Sequence, residues 1–415
     1  MSTITKTPTE APPALDGSML FVMSLACGIS AANIIYNQPL LGDFARDFHT
    51  DAGTAGQVST ASQVGYGLGL LFLLPLGDLV NRRKLVLLLT LGCAALMAGT
   101  AFAPSMGTLI LLHLFIGVTA MSAQILIPLA VEMSPSEKRG HTVGMLMAGL
   151  LGGILLARTL SGFFSDHFGW RAMFGLAAGM MVVLAALLAA KLPHRAPTAS
   201  MSYPELMKSL FGLVKTKRRI RPSTLVSALS FGSFSVFWTS LSFLMEDRFH
   251  RGASEAGLFG VVGLVGALGA PLAGKISDRL GSRFLIGASL VLCIAAFLLM
   301  GARVTIPMIV IGVLLLDLGV QAVQVAEQSK VIALVPEARS RVNALYMVGR
   351  FIGGAFGCFA GAYAWTHGGW TAVCAVGAGM SLLALLIHLA GKNYGVETQA
   401  EKFTHGEEFA ENPVG

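Results

Sequence analysis

Four ionisable residues stand deep inside long apolar runs: Arg158, Asp317, Glu327 and Arg350. A charge at the centre of a bilayer costs about 2.5–3.5 kcal/mol or more, so such a residue marks either a function or a partner. Buried acids can carry protons, and arginines hold anions or balance acids. Asp317 is the expected proton carrier, with Glu327 and Arg350 as the other coupling candidates. Counted at the helical rise, Glu327 from Val335 and Arg350 from Arg341, both lie about 12–14 Å deep. Equal depth on neighbouring antiparallel helices predicts a Glu327–Arg350 ion pair, serving transport or structure alone. Arg158 and Asp317 lie further from the basic loops, one in each half of the chain. Three roles are open for Arg158: a gate partner for Asp317, an anchor for an anionic substrate, or a side chain snorkelling to headgroups.

Around Asp317 runs a polar stripe. Asp317, Gln321, Gln324 and Gln328 fall within an arc of about 60° on a helix. A polar face on a membrane helix must look at water, substrate or other polar groups. Phe231, Phe234 and Trp238 share another helix, as a substrate wall or as packing.

The elements that position these residues follow from composition. The chain has 415 residues, 54% hydrophobic and 12% charged, against about 25% charged in soluble domains. An all-α integral membrane protein is expected. Runs long enough to span fall at 17–37, 54–76, 84–103, 106–132, 142–164, 170–191, 222–245, 255–276, 283–301, 305–334, 341–365 and 370–390. This predicts an N-terminal tail (1–16), a six-helix bundle (17–191), a linker loop (192–221), a second bundle (222–390) and a polar tail (391–415), both tails disordered. Within the linker, Leu206, Leu210 and Leu213 share one face of a surface helix. Arg82, Arg83, Lys84, Lys138, Arg139, Lys191, Arg279, Arg283 and Arg341 gather in loops of one side, which places both termini in the cytoplasm of a bacterial inner membrane. No cleaved signal peptide is expected. The net charge of +7 sits in short loops between apolar runs and does not point to nucleic acid. Five cysteines in apolar runs, without metal spacing, read as packing residues, and no metal or cofactor is expected.

The chain also repeats itself. Asp78 recurs as Asp278 and Gly169-Trp170 as Gly369-Trp370, each 200 positions on, and Arg139 has a counterpart in Arg341. Gly274-x-x-x-Asp278-Arg279-x-Gly281-x-Arg283, with a degenerate partner at Asp78-Leu79-Val80-Asn81-Arg82-Arg83, resembles motif A of the major facilitator superfamily. The glycine-rich segment from Gly149 to Gly162 resembles motif C of its proton-coupled efflux members. It departs at Arg158, where proline is usual, and His113 replaces the arginine of motif B. Asn33-Ile34-Ile35-Tyr36-Asn37-Gln38-Pro39, with Pro336-Glu337-Ala338-Arg339-Ser340-Arg341, is similar to a bacterial branch of drug- and metabolite-efflux permeases of the 12-span drug:proton antiporter type.

The resemblance implies twelve helices in two pseudo-symmetric six-helix bundles, with a cavity lined by spans 1, 4, 7 and 10. It offers Asn33, Tyr36, Asn37, Gln63, Tyr66, Gln124, Arg158, Trp238, Asp317, Gln321 and Gln324 as the substrate wall. It implies a gating latch from Asp78, Arg82, Arg83, Asp278, Arg279, Gly281 and Arg283; the other reading is that these charges only set topology. The expected function is proton-coupled efflux of a small organic compound by a monomer in the lipid bilayer. The alternative is a proton-linked importer of a small organic anion, such as an aromatic acid, anchored on Arg158. A ligand sensor derived from a transporter would need a signalling segment that neither loop nor tail supplies. No nucleophile, metal or phosphate-loop pattern suggests an enzyme.

Overall fold

The computed structural model describes residues 15–193, 202–216, 220–267, 279–335 and 338–391. The expected tails, the basic run of Lys217, Arg218 and Arg219, and Asp278 of the second latch fall outside these residues; so does the side chain of Asp78, whose backbone is described.

The first half begins with α1 (Gly17–Ala32), which Asp16 caps by accepting from the N–H of Met19 at 2.6 Å. It continues through α2 (Leu41–Asp47), α3 (Ala52–Leu68), α4 (Leu76–Leu79), α5 (Arg82–Ala101), α6 (Met106–Thr119), α7 (Ser122–Met133), α8 (Arg139–Phe168) and α9 (Trp170–Lys191). Then α10 (Tyr203–Thr216) leads to the second half: α11 (Ile220–Phe249), α12 (Ala253–Ala267), α13 (Ser282–Ala302), α14 (Ile306–Leu334) and α15 (Arg339–Ala390). Side-chain acceptors start three further spans: Asp51 caps α3, Asn81 caps α5 and Ser105 caps α6.

Eight helical segments among the described residues are long and apolar enough to cross a membrane. One of them, α15, crosses twice, because Gly369 at φ 58° breaks its helical path. The shorter α1, the helix α3 with its π-helical turn at 69–73, and α12 complete the twelve passes. Gly169 (φ 83°) makes the corresponding turn between α8 and α9. Only glycine takes that backbone without strain. The tryptophan after each turn anchors it: Trp170 Nε1 donates to Asp47 Oδ2 at 3.1 Å, and Trp370 Nε1 to the carbonyl of Met300 at 3.0 Å.

Small residues decide which helices touch. A Cβ on Gly149 or Gly153 of α8 would collide with the backbone of Ser24 or Gly28 of α1. In the second half, Gly353 and Gly357 of α15 meet Ala228 and Gly232 of α11 in the same way. Both helix pairs are shifted by one constant interval (353 − 149 = 228 − 24 = 204), so the repeat seen in the loops is also a repeat of packing.

The halves meet along two mirrored seams. On one, Gly257 and Gly260 of α12 lie against Arg158 of α8; on the other, Gly53 and Gly56 of α3 lie against Thr366 and Ala362 of α15. Both seams lie towards the face opposite the basic loops. There Asp166 of α8 accepts from the N–H groups of Ala253 (3.1 Å) and Ser254 (2.8 Å), capping α12 from across the interface. Arg46 pairs with both Asp43 and Glu246, a second link between the halves. At the same face Arg171 hydrogen-bonds Asp47 and holds its carboxyl below the ordinary aspartate range. Towards the basic face Gly140, Gly144 and Gly152 of α8 have nothing within 4 Å of a built Cβ among the described residues. On that side α10 straps the halves together, Tyr203 Oη donating to the carbonyl of Phe72 at 3.0 Å and Ser209 bonding Arg341.

Candidate substrate and coupling site

Arg158 and Asp317 come together across the seam. Arg158 is 4% exposed and Asp317 5%, so neither charge reaches a headgroup and the snorkelling role falls away. The Arg158 guanidinium lies 3.7 Å from the centre of the Trp238 ring, and its Nε donates to Gln38 Oε1 at 2.9 Å. Trp238 Nε1 in turn donates to Asp317 Oδ1 at 3.4 Å. The indole is thus a bridge, its face to the cation and its N–H edge to the acid. Gly263 of α12 makes room, for a Cβ there would strike the Asp317 carboxylate and lie 3.2 Å from Trp238.

From Trp238 an aromatic track runs down α11 towards the basic face. Phe234 lies 5.9 Å from Trp238 and stacks on Phe231 at 5.5 Å. Phe231 meets Phe351 of α15 edge-on at 5.4 Å, and Phe351 meets Tyr66 of α3 at 4.3 Å. Gln124 of α7 donates to Tyr66 Oη at 3.2 Å. Gln124, Phe231, Phe234, Gln321 and Gln324 all keep partial exposure, although the helix faces around them are buried. Through Phe351 and Tyr66 the rings of α11 and the Gln124 amide form one line of contacts drawn from both halves.

Other expected wall residues do not join it. Asn33 Nδ2 points into its own half, at Cys93 Sγ (3.3 Å) and Met181 Sδ (3.2 Å). Asn37 ties the end of α1's span to α3, donating to Ser62 Oγ (3.0 Å) and accepting from Ser59 Oγ (2.6 Å). Tyr36 is buried, and its carbonyl accepts from Ser161. Gln63 is buried, its Oε1 without a partner among the described residues.

The expected Glu327–Arg350 pair is not formed. Glu327 lies 3.7 Å from Lys330 and 3.9 Å from His388, inside the second half. Arg350 turns to α11, its guanidinium 4.1 Å from the Phe231 ring and its Nη1 donating to Ser227 Oγ at 3.4 Å. The depth estimate neglected azimuth: at 100° per residue Glu327 points about 80° away from Asp317, off the stripe.

In the first latch loop, partners of the arginines lie in the first half. Arg82 donates to the carbonyl of Gly77 (3.0 Å) and to Glu132 Oε2 (2.7 Å), and Arg83 to the carbonyl of Ala189. In the second loop Gly281 takes φ 84°, Arg279 is exposed, and Arg283 Nη2 donates to the carbonyl of Leu389 at 3.4 Å. Sequence reasoning missed Gln38, Asp166, Arg46 and Glu246. Their partners are distant in the chain, and the one local sign was the small-residue spacing Gly257, Gly260, Gly263 on α12.

Comparison with known proteins agrees with this architecture. The family model described as Major Facilitator Superfamily matches residues 20–266 and 223–411. The chain belongs to that superfamily: it is a multi-pass membrane transporter of small molecules and not an enzyme. It is 40% identical over 390 residues to the uncharacterized transporter YgaY of Escherichia coli O157:H7, covering 94% of this chain and 98% of that one. It is 26% identical to a probable sugar efflux transporter of Helicobacter pylori (strain ATCC 700392 / 26695), over 88% of this chain and 93% of that one. Among solved structures, a bacterial homologue of the human lysosomal transporter Spinster, in an inward-facing and occupied conformation, superposes with a TM-score of 0.72 at 15% identity, over 89% of this chain and 95% of that one.

Proposed function

We propose that the protein exports a small amphipathic organic compound in exchange for protons, by alternating access, from a bacterial inner membrane with its basic face in the cytoplasm. The observation that carries the reading is the Arg158–Trp238–Asp317 cluster, built from both halves at the seam remote from the basic loops. The concentration of lysine and arginine on one face supports the orientation. The name of the Helicobacter pylori relative supports the direction.

In the arrangement seen here the face opposite the basic loops is shut, and substrate enters between the halves from the cytoplasm. Rocking of the halves opens the seam between α8 and α12 and separates Arg158 from Asp317. Asp317, now uncompensated in an apolar site, takes a proton from outside. As the seam closes, Arg158 returns to Asp317 and favours its carboxylate; the site now faces the cytoplasm, and the proton leaves there. Each cycle thus exchanges one compound for one proton at this carboxyl.

The test is proton movement in inside-out vesicles with an acid interior. A panel of organic acids, sugars and cationic drugs is applied to wild type and to Asp317→Asn. One compound should alkalinise the interior in wild type and not in the variant. Movement of a labelled compound down its gradient with no proton signal would replace exchange by uniport.

A further inference from the structure

Among the described residues, one of the two buried arginines has no acid to match it. Arg158 faces Asp317, and Glu327 faces Lys330 and His388. Arg350 is 4% exposed, and no carboxylate lies within ion-pair distance of it among the described residues. A guanidinium keeps its proton and offers five N–H donors. One of these reaches Ser227, and the flat face is covered by Phe231. Stacking satisfies the face of the group and leaves its edge, the part that grips a carboxylate with two parallel hydrogen bonds. A buried cation without a counter-ion is costly. The track of Phe231, Phe234 and Trp238, whose first two rings are partly exposed, begins at this residue.

We propose that Arg350 is the anchor for the carboxylate of an aromatic organic acid. The acid group forks onto the free edge of Arg350, and the ring lies along the Phe231–Phe234–Trp238 track towards Asp317. Arg158, whose charge Asp317 already answers, is not the anchor in this state. The inference rests on the transport reading above only in taking a small organic compound as ligand; it is independent of direction and of protons.

The experiment is equilibrium binding to the full-length protein in nanodiscs. Benzoate, phenylacetate and indole-3-acetate are compared with their three amides, by melting temperature and tryptophan fluorescence. At least one acid should bind, with its amide at least tenfold weaker. Arg350→Gln should weaken that acid at least tenfold, and Arg350→Lys, which keeps the charge and loses the fork, should fall between. Unliganded Arg350→Gln should melt no lower than wild type, because it discards an unmatched buried charge. Failure of all three acids to bind, equal binding of acid and amide, unchanged affinity in Arg350→Gln, or a lower melting temperature of that unliganded variant each overturns the proposal. Because no gradient is used, acid binding in a protein that moves no protons would leave the anchor standing and sink only the coupling.

Discussion

At the scale of single residues, the question is what each buried charge costs when its partner is removed. Arg158→Gln leaves Asp317 buried with only the indole N–H near it, and Asp317→Asn leaves Arg158 on Trp238 without an acid. Breaking a buried pair from one side typically costs about 3–5 kcal/mol. The double variant Arg158→Gln/Asp317→Asn should therefore be more stable than the sum of the singles requires, with a coupling of about 1–3 kcal/mol. Melting of the four proteins in one detergent measures this, and additive losses would mean that the two charges do not sense each other. The meeting of these two residues was open to sequence reasoning, because depth along a helix follows from counting residues at about 1.5 Å each. The expected Glu327–Arg350 pairing failed because counting gives height and says little of direction. Glu327 and Arg350 stand at similar depth, yet Glu327 meets Lys330 and His388 while Arg350 lies on the ring of Phe231. Asn33 and Asn37 were misplaced for a related reason. A polar side chain on a membrane helix can satisfy itself inside a bundle, as Asn37 does between Ser59 and Ser62.

At the scale of elements, one amino-acid type does two jobs in α8. Gly149 and Gly153 hold α8 against α1 within one half, whereas Gly162 and the stretch around Arg158 meet α12 of the other half. Substitutions along this helix should accordingly separate into two classes. Gly153→Val forces the α1 and α8 backbones apart within a bundle, an overpacking that costs about 1–3 kcal/mol, and should lower the melting temperature. Gly260→Val sits on the seam, where an added Cβ already comes to 3.0 Å from Arg158 Cβ. It should hinder closure of the face opposite the basic loops while leaving each bundle intact. A nearly isosteric Ser254→Cys at the same contact reports the difference: a membrane-impermeant thiol reagent applied from that face should label it several-fold faster in the Gly260→Val background. Equal labelling would show that the seam tolerates the larger residue. The glycine pattern from 149 to 162 was visible in the sequence, but not its division between two partners. That division depends on where α12 lies, which no spacing within α8 encodes.

At the scale of the molecule, the two halves are copies whose chemistry sits where the copying fails. The glycine contacts of α8 on α1 recur in α15 on α11, and the seam of Gly257 and Gly260 recurs as Gly53 and Gly56. At the position facing the second glycine, one copy has Arg158 and the other Ala362. One seam thus carries a buried cation and the other small uncharged side chains, and both must part if the halves rock as rigid bodies. The plain seam offers the cleaner test, since altering it touches neither Arg158 nor Asp317. A Cβ built on Gly53 lies 4.0 Å from Cβ of Thr366, within the range a disulfide spans. The five native cysteines are all buried and do not compete for this bond. Gly53→Cys/Thr366→Cys should therefore cross-link the halves on mild oxidation. Oxidised protein should stop transporting yet still bind ligand offered from the basic face, and a reductant should restore transport. Full transport by the cross-linked protein would mean that the α3–α15 seam never opens, and motion would then have to be confined to α8 and α12. The outcome separates a rocking of whole bundles from a local gate, a distinction that the charged seam alone cannot make.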